Sequence, residues 1–488
     1  MRWIVWLSLL ALIAAAVGTS IGVRRMRAED GAAREAGRSM TTPAPLPLDA
    51  APMAPSQPNV VLISLDTLAA RHLGLYGYFR DTSQHLDAYA RGATVFLEAY
   101  STAPKTAESH MSIFTSLYPS VHGVNTIVDD RRGSSLDRDI HTFVQILKEH
   151  GYTTVGIHNG GFLGPEFGFG RGFDVYEAGA QHQAMEWLER KSKGEPFFLF
   201  YHTYWVHDPY CPKPSGDQRF TDLSYSGPIV HVRDDLRKLA DGKDWAAVHG
   251  AFWDRVDKED PEEVAHVVAL YDTLIAQLDE SLAVFLEAID RLAPNTIVII
   301  MSDHGEEFGQ HGMFVHEQVY GETTHVPLIV RHPDLGHGRN VEQRVSLIDL
   351  APTILDLLSI PRSEQFQGRS FARLLVGEGQ PRPILIDFRG RQALIEGDHK
   401  LITHKGRHEL YDLIEDPGEH ANLLSGILQT FWQRLVGNER EDYRHLRAAL
   451  LGAQAANVAK REALDVRIEA AELDEKSLER LRSLGYLE

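Results

Sequence analysis

The chain has 488 residues, 43% of them hydrophobic and 24% charged, which is enough for a large core and for more than one domain or subdomain. Its formal net charge of −19 argues against a nucleic-acid-binding protein, although a metal ion and a few His or Arg side chains would still permit an anionic substrate. The single cysteine, Cys211, excludes an intrachain disulfide framework and a cysteine-rich zinc cluster.

An apolar, uncharged segment lies at the start of the chain. Residues 3–23 provide about the 20 residues that a membrane-spanning helix needs, with Arg2 before them and Arg24 and Arg25 after them. The same pattern fits a cleaved signal peptide, with Ala14-Ala15-Ala16 as the cleavage site. We therefore predict a signal or membrane-anchor helix over residues 1–23. The remainder is then either anchored to the membrane, with an extracytoplasmic (periplasmic) domain, or secreted.

Residues 24–57 are rich in Ala and Pro and predict a semi-rigid linker. After it, apolar runs typical of strands alternate with segments of helical spacing. We predict strands at 60–64, 153–157 and 197–202, and helices at 87–91, 142–149 and 182–191. This alternation predicts a doubly wound α/β sheet, in a domain that covers residues 58–360.

The second half of that domain begins with a polar stretch, residues 213–262, which we interpret as an irregular insertion near the functional site. A long helix is predicted over 262–291, because Leu270, Leu274, Leu278 and Leu282 recur at helical spacing. A strand follows at 297–301. Asp349 is a plausible N-cap of the next helix.

Beyond residue 360 the pattern changes to short strands. Those at 384–388, 393–396 and 400–404 predict a small antiparallel sheet in a C-terminal subdomain that covers residues 361–440. A helical tail is predicted over 441–488. Its last helix would be capped by Asp474 and would carry an apolar stripe of Leu478, Leu481 and Leu484.

Two of the predicted strands end in residues that bind metal ions. The strand at 297–301 is followed by Ser302-Asp303-His304-Gly305, and the strand at 60–64 by Leu65-Asp66-Thr67. Continuous apolar runs are typical of strands buried on both faces of a parallel sheet. The carboxyl ends of such strands form the edge where open α/β sheets bind their ligands. The sequence therefore predicts that Asp66, Asp303 and His304 form a metal site.

A series of motifs runs along the chain in a fixed order. It includes PNVVLISLDTL (58–68), HMSIFTSLYPSVHG (110–123), FFLFYHTYWVHDPY (197–210), SDHGEEFGQHG (302–312), VSLIDLAPTILDLL (345–358) and ELYDLIEDPGEHANL (409–423). Taken together and in this order, these segments resemble the sulfatase family of the alkaline-phosphatase superfamily over residues 58–425. The resemblance implies a mostly parallel central sheet with helices on both faces, a smaller C-terminal α+β subdomain and a metal site at the carboxyl edge of the sheet.

Carried over position by position, the resemblance implies that Asp66, Thr106, Asp303 and His304 surround one divalent metal ion. Ca²⁺ is the ion implied by the family. Mg²⁺ also suits oxygen ligands, and Zn²⁺ suits an imidazole combined with carboxylates.

The chain departs from the family at the nucleophile. Sulfatases carry Cys or Ser there, which is oxidised to formylglycine, whereas this chain has Thr106, followed by Glu108 and His110 in place of the family's Pro and Arg. Threonine cannot form formylglycine, so none is expected. Phosphodiesterases and phosphoethanolamine transferases of the same superfamily use a threonine, which a metal ion activates. The alternative is that Thr106 is only a helix N-cap.

Two histidines are further candidates for catalysis. His207 matches a family histidine that contacts the ester anion, and His316 is a candidate for the same task or for a second metal ion. An imidazole can donate to the anion or protonate the leaving oxygen, because its pKa is near the working pH.

Three functions remain open from the sequence. The leading one is a metal-dependent hydrolase of sulfate or phosphate esters, acting on a small-molecule, glycan or lipid ester. The second is a phosphoethanolamine-type phosphotransferase that uses Thr106 and reaches a lipid donor through the N-terminal membrane segment. The third is a catalytically degenerate, sulfatase-like binding protein, because the family's Cys or Ser, Pro and Arg are replaced.

Overall fold

The computed structural model describes residues 57–125, 133–191, 194–212, 219–222, 224–229, 245–335, 338–425, 440–471 and 473. Across these ranges, no helix is long and apolar enough to span a bilayer. The predicted anchor at 1–23 and the predicted last helix beyond Asp474 lie outside the described residues.

A central sheet organises the main part of the fold. Its strands are β1 (Asn59–Leu65), β2 (Thr94–Tyr100), β4 (Thr153–His158), β5 (Val175–Ala178), β6 (Phe197–Thr203), β7 (Thr296–Met301), β10 (His325–Arg331), β11 (Arg339–Val341) and β12 (Val345–Ser346). Their order is β11-β2-β10-β7-β1-β6-β4-β5, with β12 also beside β2. Only β10 runs antiparallel to its neighbours, so the predicted α/β class with a mostly parallel sheet is confirmed.

Alternating side chains of the central strands enter two separate cores. In β1, Val60 and Leu62 belong to one core, and Val61 and Ile63 to the other, and all four are fully buried. The pleat turns successive side chains to opposite faces. A strand covered by helices on both faces therefore needs an unbroken apolar run, which is why β1 and β7 were recognisable in the sequence.

Helices cover both faces of this sheet, and the last described helix packs on the small C-terminal sheet. They are α1 (Gln84–Ala90), α2 (Thr106–Thr115), α3 (Pro119–His122), α4 (Phe143–Glu149), α5 (Gln181–Arg190), α6 (Trp245–Trp253), α7 (Pro261–Leu292), α8 (Gly321–Thr324), α9 (Leu350–Leu357) and α10 (Glu441–Ala463). The start of α7 is well defined, because the Asp260 carboxylate accepts a hydrogen bond of 2.9 Å from the Glu262 amide and Pro261 occupies the first turn.

Two local predictions were wrong. The stretch 213–262 is not irregular throughout, because its later part forms α6. Asp349 precedes α9 but its side chain does not cap that helix. Its carboxylate instead accepts a hydrogen bond of 2.8 Å from the Arg369 amide and pairs with the Arg382 guanidinium, so tertiary partners replace the local cap.

The short C-terminal strands form the predicted antiparallel sheet. These are β13 (Ile384–Phe388), β14 (Arg391–Glu396), β15 (His399–His404) and β16 (Arg407–Asp412), paired in sequence order. One face packs on α10 through Leu446 and Leu450. The sheet also joins the main part of the fold, where the Asp387 amide donates to the Thr102 carbonyl at 2.8 Å. The remaining described strands are two-residue pairs, β3 (Ser134–Ser135) with β17 (Glu469–Ala470) and β8 (Glu307–Phe308) with β9 (Phe314–Val315).

Candidate active site

The predicted metal-binding residues meet at the carboxyl edge of the central sheet. β1 and β7 are parallel neighbours, with Ser64 opposite Met301. The residues that come after them, Asp66 and the Asp303-His304 pair, therefore leave the sheet side by side. The Leu68 amide, beyond the end of β1, donates to the Ser302 hydroxyl after β7 at 3.0 Å and holds the two loops together.

Thr106 reaches the same place from the start of α2. Its hydroxyl donates to Asp66 Oδ2 at 3.2 Å and lies 3.4 Å from His304 Nε2. The ligand atoms of Asp66, Asp303 and His304 lie within 4.8 Å of one another. The structure thus brings together all four residues that the sequence proposed for one metal ion.

The oxygen atoms at the centre of this group have few protein partners. Asp66 and Asp303 are fully buried, and Asp66 Oδ1 and both carboxylate oxygens of Asp303 lack a hydrogen-bond donor. Buried polar atoms are nearly always satisfied, so such orphans require an explanation. Two carboxylates with free lone pairs beside an imidazole are a donor set for a divalent cation, and the residues present fit the metal ion that the sequence predicted.

The protonation of the group follows from its burial and its charges. Burial, and then the negative charge of Asp303, raise the pKa of Asp66 well above its usual range. Burial would also raise the pKa of Asp303, but the charges of His304 and His110 hold it below the usual range. Burial, reinforced by the charge of Lys105, lowers the pKa of His304 to about 4 despite nearby Asp303. His304 is therefore neutral at pH 7, as a metal ligand must be.

Thr106 does not act as a helix N-cap. The cap position belongs to Lys105, and Thr106 is the first residue of the helix proper. Its hydroxyl points to Asp66 and His304 rather than to the amides of the first turn. The N-cap interpretation of Thr106 was therefore wrong, and the hydroxyl is directed to the predicted metal site.

His207 and His316 flank this centre, each with a carboxylate behind it. His207 Nδ1 lies 2.7 Å from the Asp208 carbonyl oxygen and 3.1 Å from the Asp208 carboxylate. His316 Nδ1 lies 2.8 Å from Glu306 Oε1. The ring centroid of His316 is 4.5 Å from that of His304 and 5.2 Å from that of His207. Both imidazoles therefore lie beside the predicted metal ligands, with one ring nitrogen already engaged.

The carboxylate of Asp208 is itself held by two further donors. Its Oδ2 accepts from Trp253 Nε1 and pairs with His249 Nε2, both at 2.7 Å. Burial would raise the pKa of Asp208, but His207 and His249 lower it well below its usual range. The ionised carboxylate is anchored on α6, so the insertion that carries this helix supports the orientation of His207.

Sequence reasoning missed His202, and it noted His110 only in place of the family's arginine; both surround the four ligands. His202 Nε2 lies 3.1 Å from Asp66 Oδ2, and His110 Nδ1 lies 3.3 Å from Asp303 Oδ2. His110 also contacts the Thr106 carbonyl oxygen and Ser64 Oγ, both at 2.8 Å. His202 was detectable, because it ends a buried strand that carries a family motif; the contacts of His110 depend on tertiary structure.

Glu108, in the nucleophile segment, and His311, in the segment after Asp303-His304, both have partners outside the proposed metal site. Glu108 is buried, and one of its oxygens pairs with Arg389 at 2.8 Å, which connects α2 to the C-terminal sheet. His311, the neighbour of the metal-site loop, lies 3.3 Å from Glu322 and stacks on Tyr320 instead of joining the metal ligands. Cys211 is exposed.

Comparisons with known proteins identify relatives of this chain by sequence and by fold. The sulfatase family model matches residues 58–360, more than half of the chain. The Delta 4,5-hexuronate-2-O-sulfatase of Bacteroides thetaiotaomicron is 25% identical over 459 residues, covering 82% of this chain and 92% of that protein.

Two solved structures have the same fold. One is the structure of a protein in complex with its substrate D-glucosamine-2-N,6-O-disulfate. Its comparison with this chain gives a TM-score of 0.65 at 19% identity, and it covers 83% of this chain and 98% of that protein's chain. The second is the phosphonate monoester hydrolase of Agrobacterium radiobacter, with a TM-score of 0.63 and 18% identity, covering 86% and 98%.

Proposed function

The chain belongs to the sulfatase family, and from that premise we propose that it hydrolyses a sulfate or phosphate ester at a divalent-cation site with Thr106 as the nucleophile. One observation carries the proposal: the Thr106 hydroxyl lies within 3.4 Å of both Asp66 and His304, beside buried carboxylate oxygens without donors.

Asp66, Asp303 and His304 would hold the cation, with the Thr106 hydroxyl next to it. A divalent ion bound there supplies positive charge that stabilises the ester anion and lowers the pKa of a neighbouring hydroxyl. The donor set suits Ca²⁺, Mg²⁺ or Zn²⁺, and the family resemblance favours Ca²⁺.

The residues of the chain then divide the reaction between them. Thr106 Oγ1 donates to Asp66 Oδ2, so its proton can leave toward that carboxylate as Oγ1 forms a bond to phosphorus or sulfur. The bond to the ester oxygen breaks, and the departing alcohol takes a proton from His207. Burial and the charge of Lys105 hold the pKa of His316 well below its usual range, so the neutral His316 is suited to contact the ester anion rather than to supply a proton. Water hydrolyses the ester on Thr106 in a second step. Because threonine cannot become formylglycine, the phosphoryl or sulfuryl group is carried by the Oγ1 atom of Thr106 itself.

The similar proteins support a small-molecule or glycan ester as the substrate. Two of them are named for sugar sulfates, and a third for phosphonate monoesters. We also propose an extracytoplasmic location, reached through the N-terminal segment 1–23, which the composition of that segment supports.

A substrate panel tests this function directly. Purified protein is assayed with a sulfate monoester, a phosphate monoester and a phosphate diester of one phenol, first after chelation and then with added Ca²⁺, Mg²⁺ or Zn²⁺. We expect turnover of at least one ester, with a rate that depends on the added ion. Equal rates with and without metal, or no turnover at all, would contradict the proposal.

The role of His207 predicts a dependence on the leaving group. A general acid contributes about 10²–10⁴-fold, mainly when the departing alcohol is weakly acidic. We expect His207→Gln to lower kcat about 100-fold for an alkyl ester and far less for a nitrophenyl ester. Asp208→Asn should also slow the alkyl ester more than the nitrophenyl ester, but by a smaller factor, because it replaces the negative charge beside the imidazole by a neutral amide.

The control for both variants is Asp222→Asn, which neutralises an exposed carboxylate that accepts hydrogen bonds from the amide and the hydroxyl of Ser224. Its kcat should equal that of the wild type for both esters. If His207→Gln slows the two esters equally, then His207 does not protonate the leaving group, and its assignment as the general acid is wrong.

A further inference from the structure

A cavity of about 750 Å³ adjoins the proposed catalytic centre, between the end of β6 and helix α5. His207 and Tyr204 line it and also border the metal ligands. The Tyr204 ring lies 4.6 Å from His202 and 5.3 Å from His207, centroid to centroid. Burial, followed by the charges of Asp66 and Asp303, raises the pKa of the Tyr204 phenol well above its usual range. A group bound in this cavity would thus be adjacent to the reacting ester.

The far wall of the cavity is apolar and aromatic. Met185 on α5, Leu274 on α7, Tyr201 on β6 and Trp205 after β6 supply it. All four belong to, or pack against, the core on this side of the sheet. Such a wall is held in place by the fold itself and offers flat apolar surface to a ligand. Small-molecule sites have this composition and occupy about 300–1,000 Å³.

Three polar side chains of the lining are engaged within the protein. The Asn159 amide donates to the Gly179 carbonyl at 2.9 Å and accepts from the Tyr204 amide at 3.0 Å. The Gln181 amide donates to the Ser281 carbonyl at 2.8 Å and accepts from the Ser281 hydroxyl at 3.1 Å. Asp208 is occupied by its three donors. These groups shape the wall and leave the apolar faces as the main surface for recognition.

The charge of the lining also restricts the ligand. Among the described residues that form the cavity there is no Lys or Arg. The described lining includes two imidazoles, His182 and His207, of which His207 serves the leaving oxygen. An anionic group held against the apolar wall has no Lys or Arg beside it and loses hydration that no fixed cation replaces. An uncharged ligand with an apolar face avoids this cost and gains from the burial of that face.

We propose that this cavity holds the leaving alcohol of the ester, and that this alcohol is uncharged and carries an aromatic ring or an alkyl chain. The inference rests on the proposed function, because it takes the ester anion to be bound at Thr106. It separates this chain from its relative named for a hexuronate, a sugar acid that carries a negative charge.

Binding of the free alcohol tests the inference without turnover. 2-Naphthol and 6-hydroxy-2-naphthoate share one ring system and differ by a carboxylate, and both are fluorescent probes. We expect the wild-type protein to bind 2-naphthol at least tenfold more tightly than the naphthoate. Equal affinity, preference for the naphthoate or no binding of 2-naphthol would overturn the proposal.

A variant then locates the binding. Met185→Lys places a cation in the apolar wall. We expect it to weaken the binding of 2-naphthol at least tenfold and to reduce the ratio of the two affinities, 2-naphthol over the naphthoate. Val284→Lys is the matched control, because Val284 is a 53% exposed apolar residue on α7 that does not line the cavity. If the Met185→Lys protein kept the wild-type ratio of the two affinities, then 2-naphthol would bind outside this cavity, and the proposal would be overturned.

The two proposals fail in different ways. If no ester is turned over but 2-naphthol binds in the predicted manner, then the cavity is a site for neutral alcohols and the catalytic role of Thr106 is wrong. If esters are turned over but the naphthoate binds as well as 2-naphthol, then the hydrolase proposal stands and the assignment of the cavity is wrong.

Discussion

Thr106→Ala is expected to lower kcat by at least about 10³-fold, because it removes the atom that forms the covalent bond to the substrate. The hydroxyl lies 3.2 Å from Asp66 Oδ2, and the shorter alanine side chain leaves that carboxylate with one donor fewer. Steady-state rates with the best ester of the panel measure the effect. Folding should be retained, since Thr106 is the first residue of α2 and does not cap it.

Thr106→Ser is the matched variant, because serine keeps the hydroxyl and loses only a methyl group. We expect its kcat to stay within about tenfold of the wild type. Rapid quenching followed by mass spectrometry should find a phosphoryl or sulfuryl group on residue 106 in the wild type and in the serine variant. A Thr106→Ala protein with full activity would instead support a reaction without this nucleophile.

The same experiment distinguishes hydrolysis from transfer. If the group on Thr106 leaves to water, the amount of inorganic phosphate or sulfate equals the amount of alcohol released. If it leaves to a second alcohol, as in a phosphotransferase, then inorganic anion falls short of alcohol and an added acceptor is modified. A yield of inorganic phosphate or sulfate below the yield of alcohol would therefore favour the transferase interpretation.

Asp303→Asn is expected to abolish metal binding. Loss of a residue that only supports a ligand costs about 10–100-fold in affinity, so loss of a carboxylate ligand should cost more than about 100-fold. Elemental analysis after dialysis measures the bound ion, and thermal unfolding measures its effect. An ion present at about 100 times its Kd stabilises the wild type by about 2.7 kcal/mol, and the variant should lose this increment.

Without metal, the same substitution should still destabilise the protein. The charges of His304 and His110 hold the pKa of Asp303 below its usual range, so the ionised carboxylate stabilises the folded chain at pH 7, and this contribution is lost as the pH falls through the folded-state pKa. Chelated Asp303→Asn should therefore unfold at a lower temperature than chelated wild type at pH 7. Addition of the ion should raise the unfolding temperature of the wild type only, and an equal rise in both proteins would contradict the role of Asp303 as a ligand.

Glu307→Gln is the control for a buried carboxylate near the site. Both of its oxygens also lack a hydrogen-bond partner, yet it is not part of the Asp66, Asp303 and His304 group. Burial, and then the charge of Glu322, raise the pKa of Glu307 to about 7, so an amide differs little from its protonated form. This variant should keep the bound ion and most of the activity.

Local pattern was enough to predict the elements that present the ligands. The apolar runs of β1 and β7 are unbroken because both faces of these strands are buried. Asp66 follows one of these runs and Asp303-His304 follows the other. Because the two strands are parallel, their carboxyl ends meet at one edge of the sheet, and so do these ligands. A similar argument would have found His202, which lies near the end of β6 beside β1.

Partners supplied by distant segments could not be predicted in this way. Asp349 had the local pattern of a helix cap, but Arg369 and Arg382 engage its carboxylate in the folded chain. The insertion before α7 was expected to be irregular, yet its helix α6 supplies Trp253 and His249 to Asp208. These contacts arise between segments that are remote in sequence, so no periodicity records them.

The amino-acid sequence by itself determined the α/β class, the buried strands and the place of Asp66, Asp303 and His304 in the proposed metal site, because residue type and spacing decide which strands are buried and which residues stand at their carboxyl ends. Thr106 stands at no strand end, and the family resemblance alone pointed to it. Tertiary structure alone decided that the Thr106 hydroxyl faces Asp66 and His304 rather than a helix terminus, that carboxylates stand behind His207 and His316, and that an apolar cavity lies beside them. The physical reason is that direction and distance between side chains depend on how the connections between strands and helices pack, which a linear pattern does not contain.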